Sequence, residues 1–333
     1  MFGRLVRNEV AWLIFFVAVV LLLPVILGRT GLSRTPFDQS PTAELQKLNP
    51  PPKVVLIGDS MLGTRIVPEQ LAKLSKSPVF VNILEGSASA RWYLYLKNHL
   101  ARSDVKPKQV VIFFRDRYLT DPAFRTSAQY QELLHASMLG EEPVVEKLLE
   151  GSDTSRFGWL AKFFEWLYPS QQLRDPVAEY VVERAQKLTE NITAEGEEFN
   201  NALDRTFDMD LLRPDTPSEL ASEDLNEAPF DASPEKSFLP HMVALAKENG
   251  WHLTFYRVKR RPQAGNIRED EPELTEYMRD LRTYLNTNGA TLVDVTSDET
   301  IGIAYYSDGD HVGEKMQGPY TVYFFERLKE LFE

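Results

Sequence analysis

Residues 53–60 read Lys53-Val54-Val55-Leu56-Ile57-Gly58-Asp59-Ser60, and the fold turns on them. Four successive apolar residues stopped by Gly-Asp-Ser predict a short strand buried on both faces. Apolar residues at helical spacing follow over 66–74. A buried strand that feeds a turn and then a helix reads as the first unit of a parallel sheet. Gly58 permits a tight turn. The serine then falls at the carboxyl edge of the sheet, where open α/β folds bind ligands. Free N–H groups at the start of the next helix suit a developing oxyanion. Asp59 and Ser60 are also ordinary helix-capping residues, so the triplet by itself admits a purely structural reading.

The same rhythm continues outward. Runs at 79–84 and 109–114 predict two more strands, with a helix over 90–101 between them. Toward the C-terminus, 252–258 and 291–295 predict strands, and 235–249, 271–288 and 320–332 predict helices. Gly250 and Gly289 stop two of these helices, as glycine does just past a helix end. The expectation is an α/β domain over 53–333. It is a three-layer sandwich around a mostly parallel central sheet, with right-handed connections. The rhythm breaks over about 118–233. Helices are expected there at 127–151, 157–167 and 176–188, with an acidic stretch over 195–235. This block reads as a helical insertion, either a solvated face or a lid or docking element over the site. Asn191-Ile192-Thr193 fits a glycosylation sequon, a triplet common by chance.

Before the domain, residues 10–28 carry no charge. At ~1.5 Å per residue, a helix of that length spans the ~30 Å hydrocarbon core of a bilayer. Trp12 sits at interface depth, and Pro24 lies near the far end. The run exceeds a signal-peptide h-region and lacks a clear A-x-A site after it, so an uncleaved anchor over 1–29 is expected. Arg4 and Arg7 precede the run while Arg29 and Arg34 follow it, so the positive-inside bias is weak. The expected topology places the N-terminus in the cytoplasm and the domain outside, in the periplasm. It rests on the layout of a signal anchor before a large acidic domain. Residues 30–52, rich in Pro, Ser and Thr and ending Asn49-Pro50-Pro51-Pro52, read as a semi-rigid spacer.

The 333 residues include 49 acidic and 37 basic side chains, a net charge of −12. That balance argues against a nucleic-acid partner, because phosphate binding needs clustered Lys and Arg. Lys259-Arg260-Arg261 is such a cluster, and it reads as the cap of a strand end. The lack of cysteine removes disulfides, thiolate catalysis and Cys-bound zinc. No cofactor is expected.

A serine hydroxyl needs a base to become a nucleophile. His99, His135 and His241 lie in helical patterns and His252 opens a strand, where packing accounts for them. His311 differs. It lies in Ser307-Asp308-Gly309-Asp310-His311, a polar turn between the last strand and the last helix, hence again at the carboxyl edge. Asp308, three residues earlier, can orient the imidazole and stabilise its cation. A metal set could be drawn from Asp59, Asp308, Asp310 and His311, but one imidazole and no thiolate make it poor.

Gly-Asp-Ser after the first strand and Asp-x-x-His before the last helix resemble the SGNH (GDSL) hydrolases, a flavodoxin-like α/β fold. The resemblance touches the two ends of 53–333. It implies Ser60 as nucleophile, His311 as base and Asp308 as orienter. The family's second block lends a glycine N–H to the oxyanion hole. Gly86, in Asn82-Ile83-Leu84-Glu85-Gly86-Ser87, matches it, with Ser87 as the alternative. The third block, Gly-x-Asn-Asp, is not kept. Arg115-Asp116-Arg117-Tyr118 stands there, with Arg117 at the Asn position. Arg115 and Arg117 are therefore candidates for an oxyanion or an anionic substrate, or for a surface ion pair with Asp116.

The layout also resembles envelope proteins that work beside membrane-bound O-acyltransferases, as in alginate acetylation and teichoic-acid D-alanylation. It implies an extracytoplasmic serine O-acyltransferase or esterase acting on acyl esters of an envelope or exported polysaccharide. The implied partners are the lipid bilayer, through the N-terminal helix, and a membrane-bound O-acyltransferase. The missing Asn keeps open a second reading, a non-catalytic anchored scaffold with a degenerate SGNH fold.

Overall fold

The computed structural model describes residues 35–126, 130–150, 229–262, 269–307 and 309–332. Five strands lie in one sheet: β1 (Val54–Gly58), β2 (Val79–Ile83), β3 (Gln109–Phe114), β4 (His252–Arg257) and β5 (Thr291–Asp294). Their order is β2-β1-β3-β4-β5, and every pairing is parallel. Val54 pairs with both Val79 and Gln109, and Gln109 with His252. The chain lays β2 on one side of β1 and then returns to lay β3 on the other. That reversal opens a crevice beyond the carboxyl ends of β1 and β3, the place where open parallel sheets hold ligands.

The helices are α1 (Ser40–Lys47), α2 (Ser60–Gly63), α3 (Pro68–Ser75), α4 (Ser89–Leu94), α5 (Gln131–Ala136), α6 (Pro143–Glu150), α7 (Leu239–Asn249), α8 (Pro272–Thr287) and α9 (Glu314–Arg327). Side chains alternate across a strand, so each strand feeds two cores. Val55, Ile57, Val110, Ile112, Phe114 and Phe255 join residues of α4, α7 and α8. Val54, Leu56, Val111, Phe113 and Tyr256 join Met61 and Leu62 of α2, Leu71 of α3 and Phe324 of α9. Both faces are covered, which is why the strands read as unbroken apolar runs.

The structure revises several expectations. The spacer does not extend to residue 52. Leu45 of α1 is wholly buried, Phe37 stacks on His99, and Thr42 Oγ1 bonds His99 Nδ1 at 2.9 Å. The domain therefore begins by Phe37. The helix expected over 127–151 is two helices, α5 and α6. Gly140, at φ +84°, and Pro143, at the start of α6, separate them. Leu134, Val145 and Leu148 enter the main core, so this part of the insertion is no solvated face. The last helix begins at Glu314, not at 320, and carries Pro319 within it. Burial of Tyr320, Thr321, Phe324 and Phe325 offsets the lost backbone bond. The 90–101 helix starts as α4 and widens into a π-helical turn, Tyr95–Leu100.

Among the described residues, no helix is long and apolar enough to cross a membrane. The apolar run 10–28 lies outside the described residues. So do the helices expected at 157–167 and 176–188, the sequon at 191–193, and the acidic stretch as far as 228.

Candidate active site

β1 delivers its last residue, Gly58, into a crowded corner. A β-carbon there would lie 2.8 Å from Leu62 and 3.0 Å from Phe113, so the strand can turn tightly only as glycine. Asp59 caps α2, its Oδ1 accepting from the Met61 N–H at 2.9 Å. The capping reading thus falls to Asp59 and leaves the Ser60 side chain outside the cap. Ser60 is left half-buried at the sheet edge, and its Oγ lies 3.1 Å from His311 Nε2. With the imidazole proton on Nδ1, Nε2 accepts from the serine hydroxyl, the arrangement that a general base requires.

His311 comes from a small hairpin. Tyr306 and Val312 form an antiparallel bridge, and the Ser307 N–H donates to the His311 carbonyl at 3.0 Å. Arg65, which follows α2 and is fully buried, fixes this hairpin to the Ser60 turn. Its guanidinium donates to the carbonyls of Asp310 (2.8 Å), Lys259 (3.1 Å) and Met61 (3.1 Å) and lies over the Tyr320 ring. Pattern reading passed over Arg65, although a lone cation beside an apolar helical face was its available signal.

Asp308 lies outside the described residues. Asp310, next to His311, is buried and turned to cations. It accepts from Arg115 Nη1 at 2.6 Å and from the Arg261 N–H at 2.7 Å, with Arg260 Nε at 3.4 Å. Burial pushes its pKa up, but the two guanidiniums and the N–H outweigh that and hold it below the usual carboxylate range. Arg115 is shifted the other way. Burial opposes its charge, yet Tyr118 and Asp310 keep it above the ordinary guanidinium range.

The remaining predicted site residues are placed as follows. Gly86 follows β2 at φ +61°, in a turn closed by the Ser87 N–H donating to the Leu84 carbonyl. A β-carbon on it would lie 2.7 Å from the Tyr130 ring. The Leu84 N–H donates to the Gly58 carbonyl at 2.8 Å, which ties this turn to the end of β1. Ser87 Oγ accepts from Trp92 Nε1 at 2.8 Å, so its hydroxyl is occupied in holding α4. Arg115 reaches the His311 hairpin through Asp310. Arg117 goes elsewhere, over the Tyr277 ring of α8 at 5.3 Å. The third-strand block thus sends Arg115, not Arg117, toward the site.

A cavity of about 10 Å³ lies beside the Asp59-Ser60 turn, room for roughly one water-sized group. Asp59, Met61, Ser87, Trp92, Arg115 and Arg125 are among its walls. Arg125, like Arg65, went unmarked in the sequence. It pairs with Asp59 at 2.8 Å. The two carboxylates of the metal set that are described, those of Asp59 and Asp310, are therefore each matched to a guanidinium.

No protein-family model matches the chain, and no curated protein matches it. Solved structures do. It is similar to a candidate acylhydrolase from Bacteroides fragilis, with 13% identity and a TM-score of 0.39 over 88% of this chain and 94% of that one. A GDSL-like lipase from Bacteroides thetaiotaomicron gives 12% identity and a TM-score of 0.39, over 87% of this chain and 95% of its own. A candidate lipolytic protein of the G-D-S-L family from Desulfitobacterium hafniense gives 11% and 0.37, over 83% and 98%.

Proposed function

We propose that the chain is a serine hydrolase or acyltransferase of the SGNH kind, acting on acyl esters. The observation that carries this reading is the 3.1 Å contact between Ser60 Oγ and His311 Nε2, two residues 251 apart in sequence. In the proposed reaction, Ser60 Oγ attacks the acyl carbon while its proton passes to His311 Nε2. The N–H groups of Ser60 and Gly86 receive the oxyanion. The carbon–alkoxide bond then breaks, and the leaving alcohol takes the proton from His311. Water or a sugar hydroxyl repeats the sequence in reverse on the acyl-enzyme, regenerating Ser60. Asp308 would orient the imidazole.

The finer reading follows the chain's layout. The uncharged run 10–28 supports a single-pass anchor, and the acidic domain would lie outside the cytoplasmic membrane. There it would act on acyl groups of an envelope polysaccharide beside a membrane-bound O-acyltransferase. The test is labelling of the full-length chain with a fluorophosphonate probe. Wild type should be labelled on one serine, and both Ser60→Ala and His311→Ala should cut labelling by ~10³-fold or more. A folded wild type that resists the probe would instead favour the non-catalytic scaffold.

A further inference from the structure

Arg125 lies in a turn with Phe124 and holds a left-handed backbone, φ +55°, which a β-carbon disfavours. Its side chain meets four residues, Asp59, Ser87, Phe124 and Tyr130. Nη1 donates to Asp59 Oδ2 at 2.8 Å and lies 3.4 Å from the Ser87 carbonyl oxygen. The guanidinium carbon stands 5.1 Å from the Phe124 ring centre and 5.6 Å from that of Tyr130. Tyr130 is the same ring that closes on Gly86. One cation therefore touches the residue before Ser60 and the residue after Gly86. The Arg125 and Asp59 side chains are 16% and 15% exposed, so the pair sits at the rim of the site, not in the core.

We propose that Arg125 is a positioning residue that clasps the nucleophile turn to the oxyanion turn. It sets where Ser60 Oγ stands relative to the Gly86 N–H. The proposal rests on the reading of Ser60 as nucleophile. Alignment of this kind matters because displacements near 1 Å cost reaction rate by about a hundredfold while leaving the fold intact. The backbone link from Leu84 to Gly58 remains without Arg125, so the two turns stay neighbours but lose their fine register.

The test uses the full-length chain with Arg125→Gly and Arg125→Lys. Glycine removes the guanidinium and also relieves the left-handed backbone, so stability and alignment are separated. The readouts are fluorophosphonate labelling of Ser60, p-nitrophenyl acetate hydrolysis and thermal melting. Arg125→Gly should lower the labelling rate and kcat by about 10–100-fold, with KM within about twofold and Tm unchanged. Arg125→Lys, which retains the charge opposite Asp59, should fall between glycine and wild type. A glycine variant labelled at the wild-type rate overturns the proposal. So does a rate loss that tracks a lower Tm, or a lysine variant no faster than glycine. If wild type itself is not labelled, the serine reading falls and the clasp falls with it. If wild type is labelled and Arg125→Gly is labelled equally, only the clasp is lost.

Discussion

Two regions at the carboxyl edge of one sheet handle polar groups in opposite ways. Beyond β1, Ser60 and His311 share a single hydrogen bond and remain half-exposed. Beyond β3 and β4, Arg257 is almost fully buried among carboxylates. Asp116 lies at 2.5 Å, Asp270 at 2.6 Å and Asp294 at 3.1 Å. Burial opposes the Arg257 charge, yet the three carboxylates raise its pKa above the ordinary range. Arg260 links this cluster to the site, at 3.5 Å from Asp116 and 3.4 Å from Asp310. The contrast teaches what each arrangement is for. A cation surrounded by matched anions has one stable state and anchors loops. A hydroxyl against an imidazole has a proton free to move.

Mutations can separate the two regions. Ser60→Ala should remove labelling yet leave stability within about 0.5 kcal/mol, since it deletes one half-exposed hydroxyl. Arg257→Met should do the reverse. It takes the Arg257 cation away from Asp270, Asp294 and Asp116, of which Asp116 keeps Arg260 at 3.5 Å, and denaturant unfolding should show a loss of about 3–5 kcal/mol. The molecules that remain folded should still label at Ser60. Equal losses of stability in both variants would erase the distinction.

Arg115 stands between the regions and should show both effects. Arg115→Met leaves Asp310 buried beside fewer cations, costing about 2–3 kcal/mol and slowing labelling about tenfold through the His311 hairpin. The paired Asp310 contributes stability that is present above its unfolded pKa and lost as pH falls through its lowered folded value. Arg115→Met should shrink that acid-side loss, measured by melting at successive pH values.

His99 gives a second pH dependence, far from the sheet edge. Burial lowers its pKa to about 4, with Asp38 pulling weakly the other way. The unfolded chain therefore binds the proton first. Stability from the neutral ring is complete above pH ~6.5 and lost as pH falls toward about 4, on the order of 2 kcal/mol. His99→Phe keeps a ring between Phe37 and Tyr95 and should flatten Tm over that window. The smallest effect is expected at Gly86→Ala, about 1–2 kcal/mol for a β-carbon at φ +61°. Tyr130→Ala in the same chain should recover the part due to ring contact, and a double-mutant cycle reads it.

The alternation of strands and helices was legible in the sequence because parallel strands buried on both faces leave unbroken apolar runs. Val54, Val55, Leu56 and Ile57 are each at most 1% exposed. Ser60 and His311 were legible as polar turns at the ends of such units. The arginines that hold them were not. Arg65 bonds a carbonyl 245 residues away, Arg115 a carboxylate 195 away, and Arg125 a carboxylate 66 away. No local periodicity records those pairings. The stretch before β1 misled for a related reason. Its Pro, Ser and Thr content reads as a linker, while Leu45 and Phe37 find their partners only in the folded domain.

The sequence by itself determined the sheet's parallel character, the alternation of strands and helices along the chain, and the polar turns that carry Ser60 and His311. Those depend on apolar runs and turn residues, which act locally. Only the tertiary structure decided that Ser60 meets His311, that Arg115 reaches the site while Arg117 packs on Tyr277, and that Asp310 answers to cations. Side-chain pairing is set by which loops the strand order brings together, and by the cost of leaving a buried charge unmatched.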